Sequence, residues 1–477
     1  MRVITRMLLL ASVIMVSETG TAADFKSHIS LKQPGNAAKT YQLTEQNGML
    51  TTPSALPISI KKEVNMQGTD EVLTIKINTK HKVYINFGAE LSTDFATDDC
   101  EFYMPGFWYH KNLRSPKEAP SFHTSKSWNF REDRLSSPLV GVYDAKTGNG
   151  VTVLRHVDEP AEALVAAMEG EVILSGSTSL GYLGFDNENG TAKLTFGYPY
   201  VESPKRYIRK LTLAPSVTSF VKLEPGETKV LTWRIHHTAA KDFGRFVSNT
   251  WEYCFDRLNP TPVKAIYTAD QMKAQLTNYF RKSFVDKYQL KYNSGMTIPI
   301  DDCKPSSEVQ IGFCGRVLLN AFNEIEYGEA HKQQDLVRMG TEIFDSFLAN
   351  GFTPRGYFHD FVNFKIGMPK DGVHSIRQQS EAIYAVLHYL KYERDRGRMH
   401  REWEKKMRYL LDNLITLQKA DGHFARKFND DGSDVDASGG STPSATSTLV
   451  MGYKYFGDKK YLKSAKATVD YLEKNII

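Results

Sequence analysis

The chain has 477 residues, a formal charge of +5 and 12% aromatic residues, with 24 Tyr and 26 Phe. So mild a charge, spread along the chain, argues against nucleic acid as the main partner, which would leave a basic stripe. The length suffices for two or three domains with ordinary cores, so folding need not depend on disulfides.

The first element is a basic start (Arg2, Arg6), an apolar run from Met7 to Val16 and a small-residue exit at Thr21-Ala22-Ala23. It predicts a secretory signal peptide over 1–23, with an apolar core of about ten residues where a bilayer span needs roughly twenty. The mature protein is expected in the periplasm or medium, without membrane insertion. No cysteine precedes Cys100, so no lipid anchor is expected. Cys100, Cys254, Cys303 and Cys314 allow three pairings, of which Cys303 with Cys314 is favoured. They lack C-x-x-C spacing and predict structural or free thiols, not a metal or redox site.

From 24 to 240 the pattern is short apolar runs of period two, such as Val72 to Ile77 and Val83 to Phe87, bounded by Gly, Pro, Asn and Asp. Two hairpins are predicted. Leu139–Tyr143 and Val151–Leu154 flank a turn at 146–150, and Phe220–Leu223 and Val230–Ile235 flank Glu224-Pro225-Gly226-Glu227. The expected fold of this half is an antiparallel β-sandwich. One loop, through Trp108, Tyr109, Arg114, Trp128, Arg131 and Arg134, is dense in rings and charge. Its rings could stack on a sugar and its arginines pair with a uronate carboxylate. Equally, the rings could seal the interface between two domains.

Over 241–266 a helix stops at Asn259-Pro260-Thr261-Pro262, which reads as a connector. Helical periods then follow at about 268–285, 307–328, 331–349, 374–394, 400–419, 443–456 and 459–475. Apolar-rich helices begin near 307, 374 and 442, each followed by a more charged one, so 267–477 reads as repeated helical hairpins. In the 400–419 helix, Trp403, Met407, Leu410, Leu411 and Leu414 make one apolar stripe.

The succession of signal peptide, β-rich half, Pro-rich stop and helical hairpins, with Asp421-Gly422-His423-Phe424 and Ser438-Gly439-Gly440-Ser441-Thr442-Pro443 at hairpin entries, resembles the six-hairpin glycosidase superfamily. The resemblance implies a multidomain fold, a β-sandwich followed by an α/α toroid. The toroid would be incomplete, because a full ring of six hairpins needs more chain than follows the connector. It also implies a carbohydrate-active site on loops and inner-helix ends at one mouth of the ring.

Metal-free sugar hydrolysis needs two carboxyl groups flanking the glycosidic bond. Candidate catalytic acids are Glu381, Asp360 and Asp421. Asp360 follows Tyr357 and His359 in a loop, and Asp421 has a natural turn role before Gly422. His374, Arg377, Gln378 and Glu381 recur at helical spacing and predict one polar helix face, where Arg377 could hold a sugar group or merely pair with Glu381. Arg316, Asn320 and Asn323 form another such stripe, read as a structural network. No Walker loop, H-E-x-x-H, G-x-S-x-G or calcium loop occurs, and no cofactor or metal is expected. Three functions fit: a glycoside hydrolase acting on a polysaccharide or oligosaccharide; a polysaccharide lyase using Tyr357, His359 or His374 with Arg neutralisation; or a non-catalytic glycan binder.

Overall fold

The computed structural model describes residues 25–32, 36–113, 118–156, 164–166, 180–209, 212–262, 264–294, 296–297, 304–313, 317–368 and 372–476. The predicted signal peptide, Arg114, Arg316, Cys303 and Cys314 lie outside the described residues. The chain divides into two compact units, Met1–Pro262 and Val263–Ile477.

Among the described residues of the first unit seventeen strands form one hydrogen-bonded network. It folds into two antiparallel layers. One runs Phe25–Lys32, Val83–Ala96, Thr191–Tyr198, Tyr182–Asp186, Ser127–Arg131. The other runs Ile58–Gln67, Asp70–Thr79, Thr228–Ala239, Asn149–His156, Leu139–Asp144, Cys100–Met104. Alternate residues of both layers share one core, as period two requires. Phe87 and Phe196 of the first layer meet Trp233 of the second, with ring centroids 6.1 and 5.2 Å apart, and Phe185 stacks on Phe102 at 4.2 Å.

Two expectations change here. Leu139–Asp144 and Asn149–His156 do pair as a hairpin, but Thr212–Leu223 and Thr228–Ala239 do not pair with each other. The first joins Val83–Ala96 and the second joins Asp70–Thr79, so the Glu224–Glu227 turn carries the chain between layers. Trp108 and Trp128 are fully buried and fill the sandwich's own core with Phe130 and Phe185.

Helix α1 (Phe243–Leu258) starts at Asp242, whose side chain accepts the Arg245 N–H at 2.7 Å, and ends at Asn259 in the left-handed region. It lays Phe246 and Cys254 against Tyr103, Leu139, Tyr143 and Leu154. Gly150 makes this seat possible, since a Cβ there would lie 2.4 Å from the Phe246 ring. Cys254 and Cys100 are buried free thiols.

The second unit contains α2 (Ala269–Ser283), α3 (Val317–Ala330), α4 (Gln334–Asn350), α5 (Ile376–Arg394), α6 (Arg401–Thr416), α7 (Thr442–Phe456) and α8 (Lys459–Ile476). Helices α3, α5 and α7 pack side by side, and each is backed by the helix that follows it. This is the inner and outer arrangement of helical hairpins. Met407, Leu410, Leu411 and Leu414 of α6 are buried and Trp403 partly so, the stripe expected of a helix with one wet face. No helix among the described residues is long and apolar enough to cross a membrane.

Among the described residues α3 and α5 begin later than their sequence period predicts, whereas α7 begins where expected. Glu308–Gln310 is a strand paired with Phe361–Asn363, and Val373–Ser375 is a strand paired with Lys427–Asn429. In the first, Val309 and Ile311 turn inward while Glu308 is exposed, a period of two that a helical reading absorbs. The loops after α4 and α6 are copies of one design. Gly356 and Gly422 both take positive φ, 85° and 97°. The next Phe N–H is then tied to the following inner helix: Phe358 to Gln379 Oε1 at 3.0 Å, Phe424 to Thr442 Oγ1 at 3.0 Å.

Candidate functional site

A pocket of about 220 Å³ opens among the inner helices, lined by Ile311, Leu319 of α3, Glu381 and Tyr384 of α5, and Ser444 and Ser447 of α7. Helices α5 and α7 each contribute a pair at helical spacing, 381 with 384 and 444 with 447. The lining combines aliphatic surface, one phenol, two hydroxyls and one carboxylate. Apolar surface with a few placed polar groups is the usual make-up of a small-molecule pocket.

Glu381 is held from two sides. Its Oε1 accepts Arg377 Nε at 2.8 Å, and its Oε2 accepts the Phe313 N–H at 2.6 Å. The Arg377 guanidinium lies 4.4 Å over the Phe313 ring, and Gln378 Oε1 accepts the Gly312 N–H at 3.4 Å. Arg377, Gln378 and Glu381 thus gather around the 311–313 loop on the first turns of α5. Asn320 and Asn323 lie on α3, half-buried and exposed respectively.

His374 does not belong to that helix face, because it sits in the strand before α5 and is only 2% exposed. Its Nε2 lies 2.5 Å from Asp430 Oδ1, and its Nδ1 lies 3.7 Å from Asp360 Oδ1. Burial opposes its charge, yet hydrogen bonding and attraction from Asp360 and Asp430 prevail and raise its pKa. Asp360 also accepts the Ser375 N–H at 2.5 Å and Gln379 Nε2 at 2.7 Å, and Asp430 accepts the Gly372 N–H at 3.0 Å. Tyr357 packs on His374 and Phe428, with centroids 5.0 and 5.2 Å away. His359 is 7% exposed, and burial together with the neighbouring His374 lowers its pKa. The structure therefore separates the candidates of 357–381 into a buried cluster and an accessible pocket.

The other candidates are dispersed. Asp421 is exposed and accepts His423 Nδ1 at 2.5 Å across its own turn. In the first unit, Arg131 Nε bonds Asp133 at 2.6 Å, Arg134 forks onto the buried Glu202, and Tyr109 is exposed. Trp108 is buried beneath this surface and so is no platform for a sugar. Sequence reading missed Tyr384, Ser444 and Ser447, although Tyr384 continues the 377 and 381 stripe by one turn. It also missed Glu324, a fully buried carboxyl on α3 whose pKa burial pushes up to about 8.

No protein-family model matches the chain, and no curated protein matches it. Solved structures resemble it in part. A cellobiose 2-epimerase from Bacillus thermoamylovorans matches at 14% identity over 44% of this chain and 56% of that one, TM-score 0.35. An unsaturated glucuronyl hydrolase from Bacillus sp. GL1 matches at 13% identity over 42% and 53%, TM-score 0.32. A polysaccharide lyase matches at 9% identity over 94% and 75%, TM-score 0.37. The chain spans about half the length of the first two, which are members of the six-hairpin glycosidase superfamily. All three are carbohydrate-active enzymes, and the likeness is too slight to carry their chemistry to this chain.

Proposed function

We propose that the protein is a secreted glycan-processing enzyme whose reaction centre is the Glu381 pocket, with glycoside hydrolysis as the first reading. The observation that carries it is a carboxylate set among aliphatic, phenolic and hydroxyl groups and steadied by a backbone N–H and a guanidinium. A carboxylate fixed in this way can act as the base that activates a water. The second carboxyl of a hydrolase would have to approach from the pocket rim, because Asp360 is engaged by Ser375, Gln379 and His374.

That engagement favours a second reading, a polysaccharide lyase. Tyr384 lines the same pocket and can take the proton beside a uronate carboxylate, with Arg377 offsetting the charge. Tyr357, His359 and His374, in contrast, are packed against one another or buried.

The test incubates the mature protein with a panel of plant and host polysaccharides and follows products by mass and ultraviolet absorbance. Saturated sugars lost in Glu381→Gln support hydrolysis, whereas unsaturated ends lost in Tyr384→Phe support elimination. Silence across the panel, with binding to one glycan retained, would leave a non-catalytic binder and overturn the enzyme.

A further inference from the structure

Phe313 combines three properties that do not occur together by default. Its φ is +58°, in the left-handed region that a bulky side chain rarely adopts. The residue is 49% exposed although it carries one of the large apolar side chains of the unit. And its N–H bonds Glu381 Oε2 at 2.6 Å, while its face receives the Arg377 guanidinium at 4.4 Å.

The loop has no freedom to relax by sliding. Gly312 lies so close to α5 that a Cβ there would fall 2.9 Å from Gln378 Cα, and its N–H faces Gln378 Oε1. Gly312 thus docks the loop on the helix and sets the peptide plane whose N–H, that of Phe313, meets the carboxylate, and the chain leaves Phe313 through the left-handed region. Glycine or asparagine would make that turn at less cost, so a phenylalanine there points to a use for the ring.

We infer that Phe313 is both the positioning residue of Glu381 and an aromatic platform at the pocket rim on which a sugar ring stacks. The inference rests on the Glu381 pocket being the glycan site. Arg377 belongs to the same device. It holds the face of Phe313 that looks toward α5, and the remaining exposed ring surface is left for the apolar C–H face of a pyranose.

The experiment compares the parent, Glu381→Gln, Phe313→Gly, Phe313→Asn and Phe313→Tyr on an array of defined neutral and uronate-ended oligosaccharides. Thermal melting is measured for each protein. Phe313→Gly and Phe313→Asn keep the N–H and the left-handed turn but lose the ring. Both are expected to bind the parent's best array sugar about tenfold more weakly or worse, and to melt no lower than the parent. Phe313→Tyr restores binding. Equal binding by the Gly variant and the parent overturns the platform while the pocket reading stands. Melting below the parent by both the Gly and the Asn variants overturns the strained-positioning part. No array binding by either the parent or Glu381→Gln overturns the inference together with the reading beneath it.

Discussion

Glu381 and His374 flank the start of α5, and each meets a charge of opposite sign, yet the two environments are opposite. Glu381 faces a pocket and is held by the N–H of the exposed Phe313 and by one half-exposed arginine. His374 lies under Tyr357 and Phe428 between two carboxylates that are themselves tied to backbone N–H groups. A charge with water on one side can act on a ligand. One enclosed in matched partners mainly fixes the chain, here joining the loop after α4, the strand before α5 and the loop after α6.

The contrast is broken most sharply by paired substitutions. Glu381→Gln is expected to lower kcat by about a thousandfold while leaving the denaturant midpoint nearly unchanged, since the amide keeps an acceptor for the Phe313 N–H. Asp360→Asn should do the reverse. It leaves His374 with one carboxylate and is expected to cost about 3 kcal/mol of stability, read by urea unfolding, with activity per folded molecule retained. A thousandfold activity loss with unchanged stability in Asp360→Asn would place the reaction centre on the buried side instead.

The buried acids and bases of this unit also set a pH slope. Glu324 has an ordinary value of 4.5 raised to about 8 by burial, so the folded state holds a proton there that the unfolded chain releases. Its favourable contribution is complete below the unfolded value and is lost as pH climbs toward 8. His374, also raised, contributes below its unfolded value of 6.5 and loses that contribution as pH rises through the folded one. Both signs agree, so unfolding should become easier between about pH 6.5 and 8, above the range in which the buried His359 and the half-buried His388, lowered from 6.5, act in the opposite direction. Glu324→Gln, neutral at every pH, should remove about 2 kcal/mol of that fall. An unchanged slope would mean that Glu324 is ionised in the fold.

Sequence periodicity recovers the parts of the fold where one face is buried over several turns or several alternations. The α6 stripe and the 139–154 hairpin are of that kind. It fails where a short segment serves two masters. Residues 307–311 have too few alternations to announce a strand before α3, and the turn at Glu224–Glu227 looks like a hairpin because nothing local says that its arms join different layers. The site was legible to the same extent. Arg377 and Glu381 follow from helical spacing, whereas Asp430, which completes the His374 cluster, comes from a different loop and is brought in by strand pairing alone. Trp108 shows the remaining limit, since aromatic density in a loop sequence does not distinguish a surface platform from a core.

The smallest expected effect belongs to Asp421, and the internal repeat is the reason. Its turn matches the one after α4, where the residue before the positive-φ glycine is Arg355. One copy thus carries a cation and the other an anion at the same place, so the turn itself demands neither. Asp421 instead accepts the backbone and ring N–H of His423, and these bonds lower its carboxyl below the usual range. Asp421→Asn keeps an acceptor for His423, and kcat/KM on the panel's best substrate should stay within about twofold of the parent. A loss approaching that of Glu381→Gln would show that the loop after α6 reaches the substrate, and would make Asp421 the second carboxyl that the hydrolase reading lacks.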